Sequence, residues 1–290
     1  MDDKIIQRID GAIKQIDKIH SRIDGVSYDD FLNSEDILEV ISFNVYLLGE
    51  RMVKLEKLLK DKYPDIPWTK AKTMRNIIAH EYENADPKII YDTATQDIDV
   101  LKAQFLKIKD DIKQISENSL YTERLVLRPW DETDATQLLE LAKDPEIAKW
   151  CGWEPLNNIR DSLFMLHNFL QLKETYAICL KDDGRVVGSI GLMLDGDLVK
   201  NDDECELGFW IGTKYQRNRY AFEATSEVIR HAFNDLNFNT IWCSYFEGNI
   251  KSKCLQEKLG FVFSYSYEKT CITDSKTIYI CNVNQLTKSK

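Results

Sequence analysis

The spacing of apolar residues changes once along the chain, near residue 118, and this change predicts two unlike domains. Before it, apolar residues recur at steps of three and four, which places a stripe along a helix. After it, the alternation expected of strands takes over. At 290 residues the chain is also about twice as long as one hydrophobic core requires. We therefore predict domains over 1–115 and 121–290, with a polar linker over 116–120.

The first domain is predicted to be an all-α bundle of four amphipathic helices. Isoleucine dominates the stripe of the opening helix, at Ile5, Ile6, Ile9, Ile13, Ile16, Ile19 and Ile23. Ser34 caps a second helix, a third begins near Trp68, and Asp86-Pro87 starts a fourth that reaches about Ile112. So short a bundle with such strong stripes favours burial of its remaining apolar surface in a homodimer.

Cysteine usage and charge limit the compartment and the partners. All seven cysteines lie in the last 140 residues, without a Cys-x-x-Cys pair or a Cys/His cluster at zinc-ligand spacing. We expect no disulfide framework, no metal site and a reducing cytoplasm. The two sides of residue 118 each carry a net charge of −5, which disfavours non-specific binding of polyanions. The chain starts with charged residues and has no run of about 18 apolar residues. We therefore expect no targeting segment and no membrane partner.

One basic cluster departs from this acidic balance. Between Arg51 and Arg75, eight basic residues stand against three acidic ones. Lysines at helical spacing usually solubilise a helix face, but the same cluster also suits a phosphate-facing patch.

The cluster ends in the motif Arg75-x4-His80-x-Tyr82. An arginine holds phosphate in a bidentate fork, and a histidine moves the proton when a ribose 2′-hydroxyl attacks phosphorus. On an ideal helix Arg75 and His80 lie about 140° apart, so a long arginine or a symmetric partner has to bring them together. Alternatively, Arg75 pairs with a carboxylate and His80 caps a helix.

The first domain resembles the HepT-like HEPN toxins. The resemblance covers about residues 1–115 and is carried by Leu47-Leu48-Gly49-Glu50, by 63–68 (Tyr-Pro-Asp-Ile-Pro-Trp) and by the complete motif. It implies a metal-independent endoribonuclease that acts on RNA across a dimer, with Arg75 and His80 as catalytic residues. It also implies a nucleotidyltransferase antitoxin as partner, which modifies Tyr82. HEPN domains serve as inactive nucleotide-binding or assembly modules as well, so that alternative stays open.

The second domain is predicted to be α/β, with strands at Leu125–Leu127, at 176–180 and 186–191 around the turn Asp182-Asp183-Gly184, at 204–211 and at 240–245. Two strand–loop–helix junctions follow the last two strands. The first contains Gln216-Arg217-Asn218-Arg219-Tyr220-Ala221, and the second begins at Asn249. The free N–H groups of a helix start suit a pyrophosphate, which two nearby arginines favour further.

With Thr122–Pro129, these junctions resemble the GNAT acetyltransferases, in the branch of ribosomal-protein N-terminal acetyltransferases, over residues 119–287. The resemblance implies a mixed, mostly antiparallel sheet and acetyl-CoA as cofactor. It implies cofactor contacts from Phe209, Ile211, Gln216, Arg217, Asn218, Arg219, Tyr220, Ala221 and Asn249. In the family loop Gln/Arg-x-x-Gly-x-Gly/Ala, however, Arg219 replaces the first glycine. Its side chain clashes with phosphate, or its guanidinium binds phosphate if φ stays negative.

Acyl transfer to an amine needs a base and a proton donor for the departing thiolate. By resemblance Glu206 is the general base, acting through water, and Ser252 serves the sulfur, because Gln256 stands where many members carry a tyrosine. Alternatively, Glu206 is a strand acid that faces solvent, and Asn249 caps a helix. Trp150, Trp153 and Phe164 fall in the variable segment that shapes the acceptor pocket, or they are exposed or core aromatics. The amine acceptor stays open among protein α-amines, lysine, polyamines, aminoglycosides and aminoacyl-tRNA. Activity confined to acyl transfer, or two binding modules without catalysis, are the other functional alternatives.

Overall fold

The computed structural model describes residues 2–80, 86–270 and 278–288, without the side chains of Asp2, Asp3, His80 and Thr270. The chain divides into two compact units, Met1–Gln114 and Ile115–Lys290. Helix α6 ends at Glu117 and strand β1 begins at Leu120, so only residues 118 and 119 of the predicted linker lie outside regular elements. In the described part of the chain, no helix is both long enough and apolar enough to cross a bilayer.

The first unit is helical throughout its described residues. Its isoleucine stripe makes α1 one wall of the core, where Ile9, Ile16 and Ile19 are fully buried. The helices are α1 (Asp2–Ile23), α2 (Tyr28–Asn33), α3 (Glu35–Leu59), α4 (Trp68–His80), α5 (Pro87–Asp92) and α6 (Ile98–Glu117).

Three of the four predicted helices form as expected, and the fourth is subdivided. Ser34 accepts a hydrogen bond from the N–H of Ile37 at the start of α3. Asp86 accepts one from Lys88, with Pro87 in the first turn of α5. A π-helical turn, Thr93–Asp97, joins α5 to α6. The short helix α2 was not expected, and it contributes the fully buried Phe31 to the core.

The second unit contains one eight-stranded sheet with the order β1-β2-β3-β4-β5-β6-β8-β7. All neighbouring strands are antiparallel except β5 and β6, which confirms the mixed, mostly antiparallel sheet. Gly184 has a φ of +72°, as the predicted turn between β3 and β4 requires. The strands are β1 (Leu120–Tyr121), β2 (Leu125–Pro129), β3 (Thr175–Leu180), β4 (Val186–Met193), β5 (Glu204–Ile211), β6 (Thr240–Phe246), β7 (Val262–Thr270) and β8 (Ile278–Thr287).

Helices cover parts of both sheet faces. Five of them belong to this unit: α7 (Ala135–Ala142), α8 (Pro145–Cys151), α9 (Ile159–Met165), α10 (Tyr220–Asn234) and α11 (Ile250–Lys258). Ala224, Val228 and Ala232 of α10 pack on Cys205 and Leu207 of β5. Residues of α7 to α9 pack with Trp210 in a second core. Successive β5 side chains therefore enter opposite cores, as the pleat requires.

Strands β5 and β6 stay together for only a short distance. Their parallel pairing joins Glu204–Glu206 to Thr240–Trp242 and then stops, although β5 continues to Ile211 and β6 to Phe246. The remaining parts of the two strands lie on either side of a gap, where backbone N–H and C=O groups have lost their ladder partners.

Candidate functional site

The gap between β5 and β6 opens into a cavity of about 760 Å³. Residues Leu207–Ile211 form one wall, and Cys243–Tyr245 form the facing wall. Seven of the nine predicted cofactor residues line it: Phe209, Ile211, Gln216, Arg217, Arg219, Ala221 and Asn249. Asn218 and Tyr220 do not. The Asn218 amide instead donates to the carbonyls of Tyr215 and Gln216, and so stabilises the loop from within.

The loop that leads from β5 to α10 is anchored at Gln216. Its amide donates to the carbonyl of Ile211 at 3.0 Å, and its carbonyl accepts from Lys251 Nζ at 2.9 Å. Arg217 and Arg219 then adopt left-handed backbone, with φ of +65° and +64°. A negative φ at Arg219, the condition set for phosphate binding by its guanidinium, is therefore not met, although Arg219 still lines the cavity. The loop keeps the backbone that suits glycine and carries an arginine on it.

The end of this loop concentrates positive charge on the cavity. Arg219 is the N-cap of α10 and makes no side-chain cap bond, and the first N–H groups of a helix have no partners within the helix. Arg217, Arg219, Lys251 and Lys258 all line the cavity. The helix dipole and these cations together favour an anionic ligand at this end.

A carboxylate holds the loop and α10 to the start of the sheet. Glu223, in the first turn of α10, accepts from Thr122 Oγ1 at 2.6 Å and from Arg124 Nε at 2.8 Å. Arg124 also donates to the carbonyl of Asn218 at 3.1 Å and lies over the Tyr220 ring. Burial raises the pKa of Glu223, but these hydrogen bonds outweigh it and lower the pKa below its usual value. This contact explains the presence of Thr122 and Arg124 in the segment that carries the resemblance.

The second junction shows both a cap and a polar relay. Asn249 Oδ1 caps α11 by accepting from the N–H of Ser252 at 3.2 Å, as the capping alternative expects, while the residue also lines the cavity. Ser252 lines the cavity too, and its hydroxyl accepts from the Gln256 amide at 3.1 Å. Gln256 is fully buried and its carbonyl accepts from Asn284 at 2.9 Å. It therefore orients Ser252 rather than facing the cavity.

Glu206 lies beside the gap and is not among the residues that line the cavity. It is the last β5 residue paired with β6. The N–H of Leu198 donates to its carboxylate at 3.4 Å. Burial raises the pKa of Glu206 above its usual value, and the Leu198 bond only partly offsets this. Such a carboxylate accepts a proton more readily than an exposed one.

The aromatic residues expected at the acceptor pocket separate into three environments. Trp150 lines the cavity, and its indole N–H donates to Glu146 at 2.9 Å. Trp153 packs edge-on against Trp210, with ring centroids 5.9 Å apart. Phe164 is exposed and does not line the cavity. Sequence analysis missed other lining residues, Glu146, Phe222, Ser244 and Tyr245 among them. Glu146 on α8 and Ser244 and Tyr245 on β6 reach the cavity only through long-range packing, whereas Phe222 directly follows Ala221 and could have been found at the same helix start.

In the helical unit, Arg75 of α4 is held against Gly49 and Glu50 of α3. The Arg75 Nε lies 2.6 Å from Glu50 Oε1, and the Arg75 NH1 donates to Asn76 at 2.8 Å. The carboxylate pairing considered as an alternative is thus present. A Cβ built on Gly49 would lie 2.6 Å from the Arg75 Cβ, so only glycine permits this separation of α3 and α4. Gly49 and Glu50 therefore position Arg75 by steric and ionic contacts.

The rest of the predicted RNA site is described only in part. His80 is the last residue of α4, and its side chain and Tyr82 lie outside the described residues. Within the basic cluster, Lys60 pairs with Glu56 at 2.7 Å and Lys70 with Asp97 at 2.6 Å. These pairs fit a solvated helix face.

Comparisons with known proteins place the two units in two families. A model described as "Acetyltransferase (GNAT) domain" matches residues 124–262, and one described as "Ribonuclease HepT-like" matches residues 12–108. "Uncharacterized N-acetyltransferase p20" of Bacillus licheniformis is 31% identical over 150 residues, which cover 49% of this chain and 82% of that protein. "Putative RNase MJ1216" of Methanocaldococcus jannaschii is 31% identical over 108 residues, which cover 37% of this chain and 89% of that protein.

A solved structure shares the fold of the second unit. The GNAT-family acetyltransferase of Bacillus anthracis aligns with a TM-score of 0.52 and 19% identity, covering 58% of this chain and 98% of its own. The chain therefore belongs to the GNAT acetyltransferases through its second unit and to the HepT-like family through its first.

Proposed function

We propose that the second unit transfers the acetyl group of acetyl-CoA to a primary amine, with the cofactor loop and base of the ribosomal-protein N-terminal acetyltransferase branch but without a commitment to its protein acceptor. The observation that carries the proposal is the cavity between the separated strands β5 and β6, with four cationic side chains and a helix start among its lining. An elongated ligand with an anionic end and an amide-containing arm fits this arrangement.

The residues present fit acetyl-CoA, which supplies an activated acetyl thioester when bound. The N–H groups at the start of α10, with Arg217 and Arg219, hold the phosphates. The edge of Leu207–Ile211 that faces β6 has no strand partner, and its backbone groups, with the Asn249 amide, would hydrogen-bond the pantetheine arm. Phe209 and Ile211 supply apolar contact beside it.

Two side chains handle protons during transfer. Glu206, through water, takes the proton that the acceptor nitrogen loses as it forms its bond to the acetyl carbon. Ser252 donates a hydrogen bond to the sulfur that leaves, while Gln256 holds the serine oxygen in place. The C–S bond breaks as the C–N bond forms; the departing thiolate takes a proton from water, and Glu206 returns the proton of the amine to water, so the products are an N-acetylated amine and a thiol.

Replacing Glu206 tests this assignment. Because burial raises its pKa, activity should rise with pH through a value above 4.5 as the carboxylate forms. The Glu206→Gln variant should lose about 100-fold or more in kcat and lack this acidic limb. The measurement is a pH profile of acetyl transfer to an amine panel, with acetyl-CoA binding followed by calorimetry. Full activity in the variant would rule out the role of Glu206, and absence of saturable acetyl-CoA binding to the wild type would rule out the proposed function.

We propose that the first unit is a metal-independent endoribonuclease of the toxin type, assembled as a homodimer. Arg75 binds the scissile phosphate, and His80 takes the proton of the 2′-hydroxyl as its oxygen attacks phosphorus. The P–O5′ bond breaks and the departing 5′-oxygen takes a proton from water, which leaves a 2′,3′-cyclic phosphate and a 5′-hydroxyl. Phe43 on α3 is an exposed aromatic that stacks on Tyr46, and this supports a face of α3 that the second copy covers in the proposed homodimer. A nucleotidyltransferase antitoxin that modifies Tyr82 completes the proposal.

Total RNA incubated with residues 1–118 and a metal chelator tests the nuclease. We expect cleavage that ends in cyclic phosphate, abolished by His80→Ala and by Arg75→Ala. Equal cleavage by the wild type and by the His80→Ala variant would refute the role of the motif. Light scattering of the same samples measures the dimer.

A second candidate is that this unit only dimerises the enzyme or binds a nucleotide. The ion pair between Arg75 and Glu50 favours it, because a neutralised guanidinium is less available to RNA. The Glu50→Gln variant separates the two candidates. Under the nuclease proposal Arg75 exchanges Glu50 for phosphate, and the variant should cleave RNA at least as fast as the wild type. Under the second candidate neither protein cleaves.

A further inference from the structure

The sheet face opposite α10 and α11 is built around Glu206. Its neighbours Cys205 and Leu207 pack under α10, so Glu206 projects from the other face. Cross-strand pairing continues this face from Glu206 to Trp242 on β6. Because Glu206 is the last paired residue before β5 and β6 separate, the face adjoins the point at which the gap begins.

Three aromatic rings extend the face across the neighbouring strands. Trp242 and Tyr265 meet edge to face with centroids 6.4 Å apart, and Tyr265 and Tyr267 follow at 6.3 Å. Tyr265 is 36% exposed. Glu204 fixes the Trp242 ring by accepting from its indole N–H at 3.0 Å. The rings therefore form a preorganised aromatic surface rather than part of a closed core.

This surface already attracts a cation of the protein itself. Lys200 Nζ lies 6.0 Å from the Tyr265 ring centroid, and Lys269 Nζ lies 3.5 Å from Asp197. The segment 194–203 that joins β4 to β5 carries four acidic residues and one lysine, and Glu204 and Glu206 follow it in β5. Aromatic faces bordered by carboxylates bind alkylammonium groups through cation–π and ionic attraction.

We infer that this face binds the acceptor and selects an aliphatic oligoamine, in which a second ammonium group rests on Tyr265 while the reacting amine lies at Glu206. The inference rests on the proposed acetyl transfer and names its substrate class. Charge complementarity sets the choice, because the acidic segment and the rings favour a ligand with several positive charges. Lys200 occupies the place of the second ammonium until the acceptor displaces it.

Spermidine is the probe, and hexylamine, which carries one positive charge, is the matched acceptor. With the full-length protein we expect kcat/KM for spermidine to exceed that for hexylamine by about tenfold or more. Tyr265→Leu should raise the KM for spermidine about fivefold with little change in kcat. Phe263→Leu is the control, since Phe263 is an exposed aromatic on the opposite face of β7. It should leave the KM unchanged.

Lys200→Ala should change the KM for spermidine in the direction opposite to Tyr265→Leu. Removing the competing internal cation should lower the KM for spermidine two- to fivefold. General damage to the fold would raise it instead, so an improved KM identifies displacement of Lys200. Asp197→Asn should raise the KM, whereas Asp182→Asn in the distant β3–β4 turn should not.

Calorimetric titration of spermidine in the absence of acetyl-CoA tests the face independently of acetyl transfer. Binding that weakens in Tyr265→Leu and strengthens in Lys200→Ala supports the inference even if no acetyl transfer is found. If acetyl-CoA binds and hexylamine is acetylated as well as spermidine, the proposed function stands and the inference fails. Transfer only to lysine-containing peptides, with no spermidine binding, would also overturn it.

Discussion

At the scale of single residues, Arg219 shows how a side chain replaces glycine without changing the loop. Its φ of +64° lies in the region that an ordinary side chain occupies at a cost of about 1–2 kcal/mol. The strain persists because Gln216 anchors one end of the loop and Glu223 the other. Sequence revealed the substitution, but the sign of φ depends on these anchors and could not be read from the motif.

Arg219→Gly should separate strain from phosphate binding. We expect the free energy of unfolding to rise by about 0.5–1 kcal/mol, because relief of strain exceeds the added entropy of the unfolded chain. The dissociation constant for acetyl-CoA should rise about fivefold as one cation is lost. Chemical denaturation and calorimetry measure the two effects. Asn237→Gly, at an exposed positive-φ residue away from the cavity, should show only the first. Tighter cofactor binding by Arg219→Gly would contradict the role of the guanidinium.

Glu223 predicts a dependence of stability on pH. Its folded pKa lies below the unfolded value of 4.5, so its contribution is complete above pH 4.5 and is lost as pH falls through the folded pKa. Glu223→Gln should lower the free energy of unfolding by about 1 kcal/mol at pH 7, and the deficit should shrink below pH 4.5. Denaturation curves at several pH values test this against Glu257→Gln, an exposed residue of α11. A deficit that stayed constant with pH would exclude the carboxylate as its source.

At the scale of elements, the approach of α3 to α4 depends on one glycine. Gly49→Ala places a Cβ 2.6 Å from the Arg75 Cβ and 3.2 Å from the Ala71 carbonyl, neither of which can move alone. We expect a loss of about 2 kcal/mol in the free energy of unfolding, measured by denaturant titration. Gly11→Ala is the matched control, because its Cβ meets only the flexible end of Arg51. That variant should gain about 0.5 kcal/mol from helix propensity. Equal effects of the two substitutions would exclude the steric explanation.

Local pattern predicted most elements, and long-range contacts decided the rest. Three features depend on neighbours in sequence, and all three form as predicted: the apolar stripe of α1, the helix cap at Ser34 and the turn that contains Asp183-Gly184. The π-helical turn at Thr93–Asp97 has no comparable local signature. Nor does the burial of Gln256, which follows from its contact with Asn284 on β8. Candidate residues on the two junctions were found by motif, whereas the cavity wall Cys243–Tyr245 required the strand order.

At the scale of the whole molecule, the two units are built on cores of different construction. The first unit has a helical core rich in isoleucine, and the second unit has cores on the two faces of a sheet. We therefore expect fragments 1–118 and 119–290, cut after the end of α6, to fold independently. Circular dichroism and thermal unfolding of each fragment test this. A fragment that stays unfolded alone, but orders within the full chain, would show that its core depends on the other unit.

The early end of pairing between β5 and β6 also has a mechanical meaning. Only three pairs of residues join strands β1–β5 to strands β6–β8 through backbone pairing in the described sheet. We therefore expect the two parts of the sheet to move relative to each other more easily than strands within either part. A ligand whose amides hydrogen-bond both strand edges would link the two parts of the sheet. Above its Kd, such a ligand would stabilise the folded state in proportion to the logarithm of its concentration. Under the proposed binding of acetyl-CoA, we therefore expect the rigidity of the sheet to increase with the cofactor concentration.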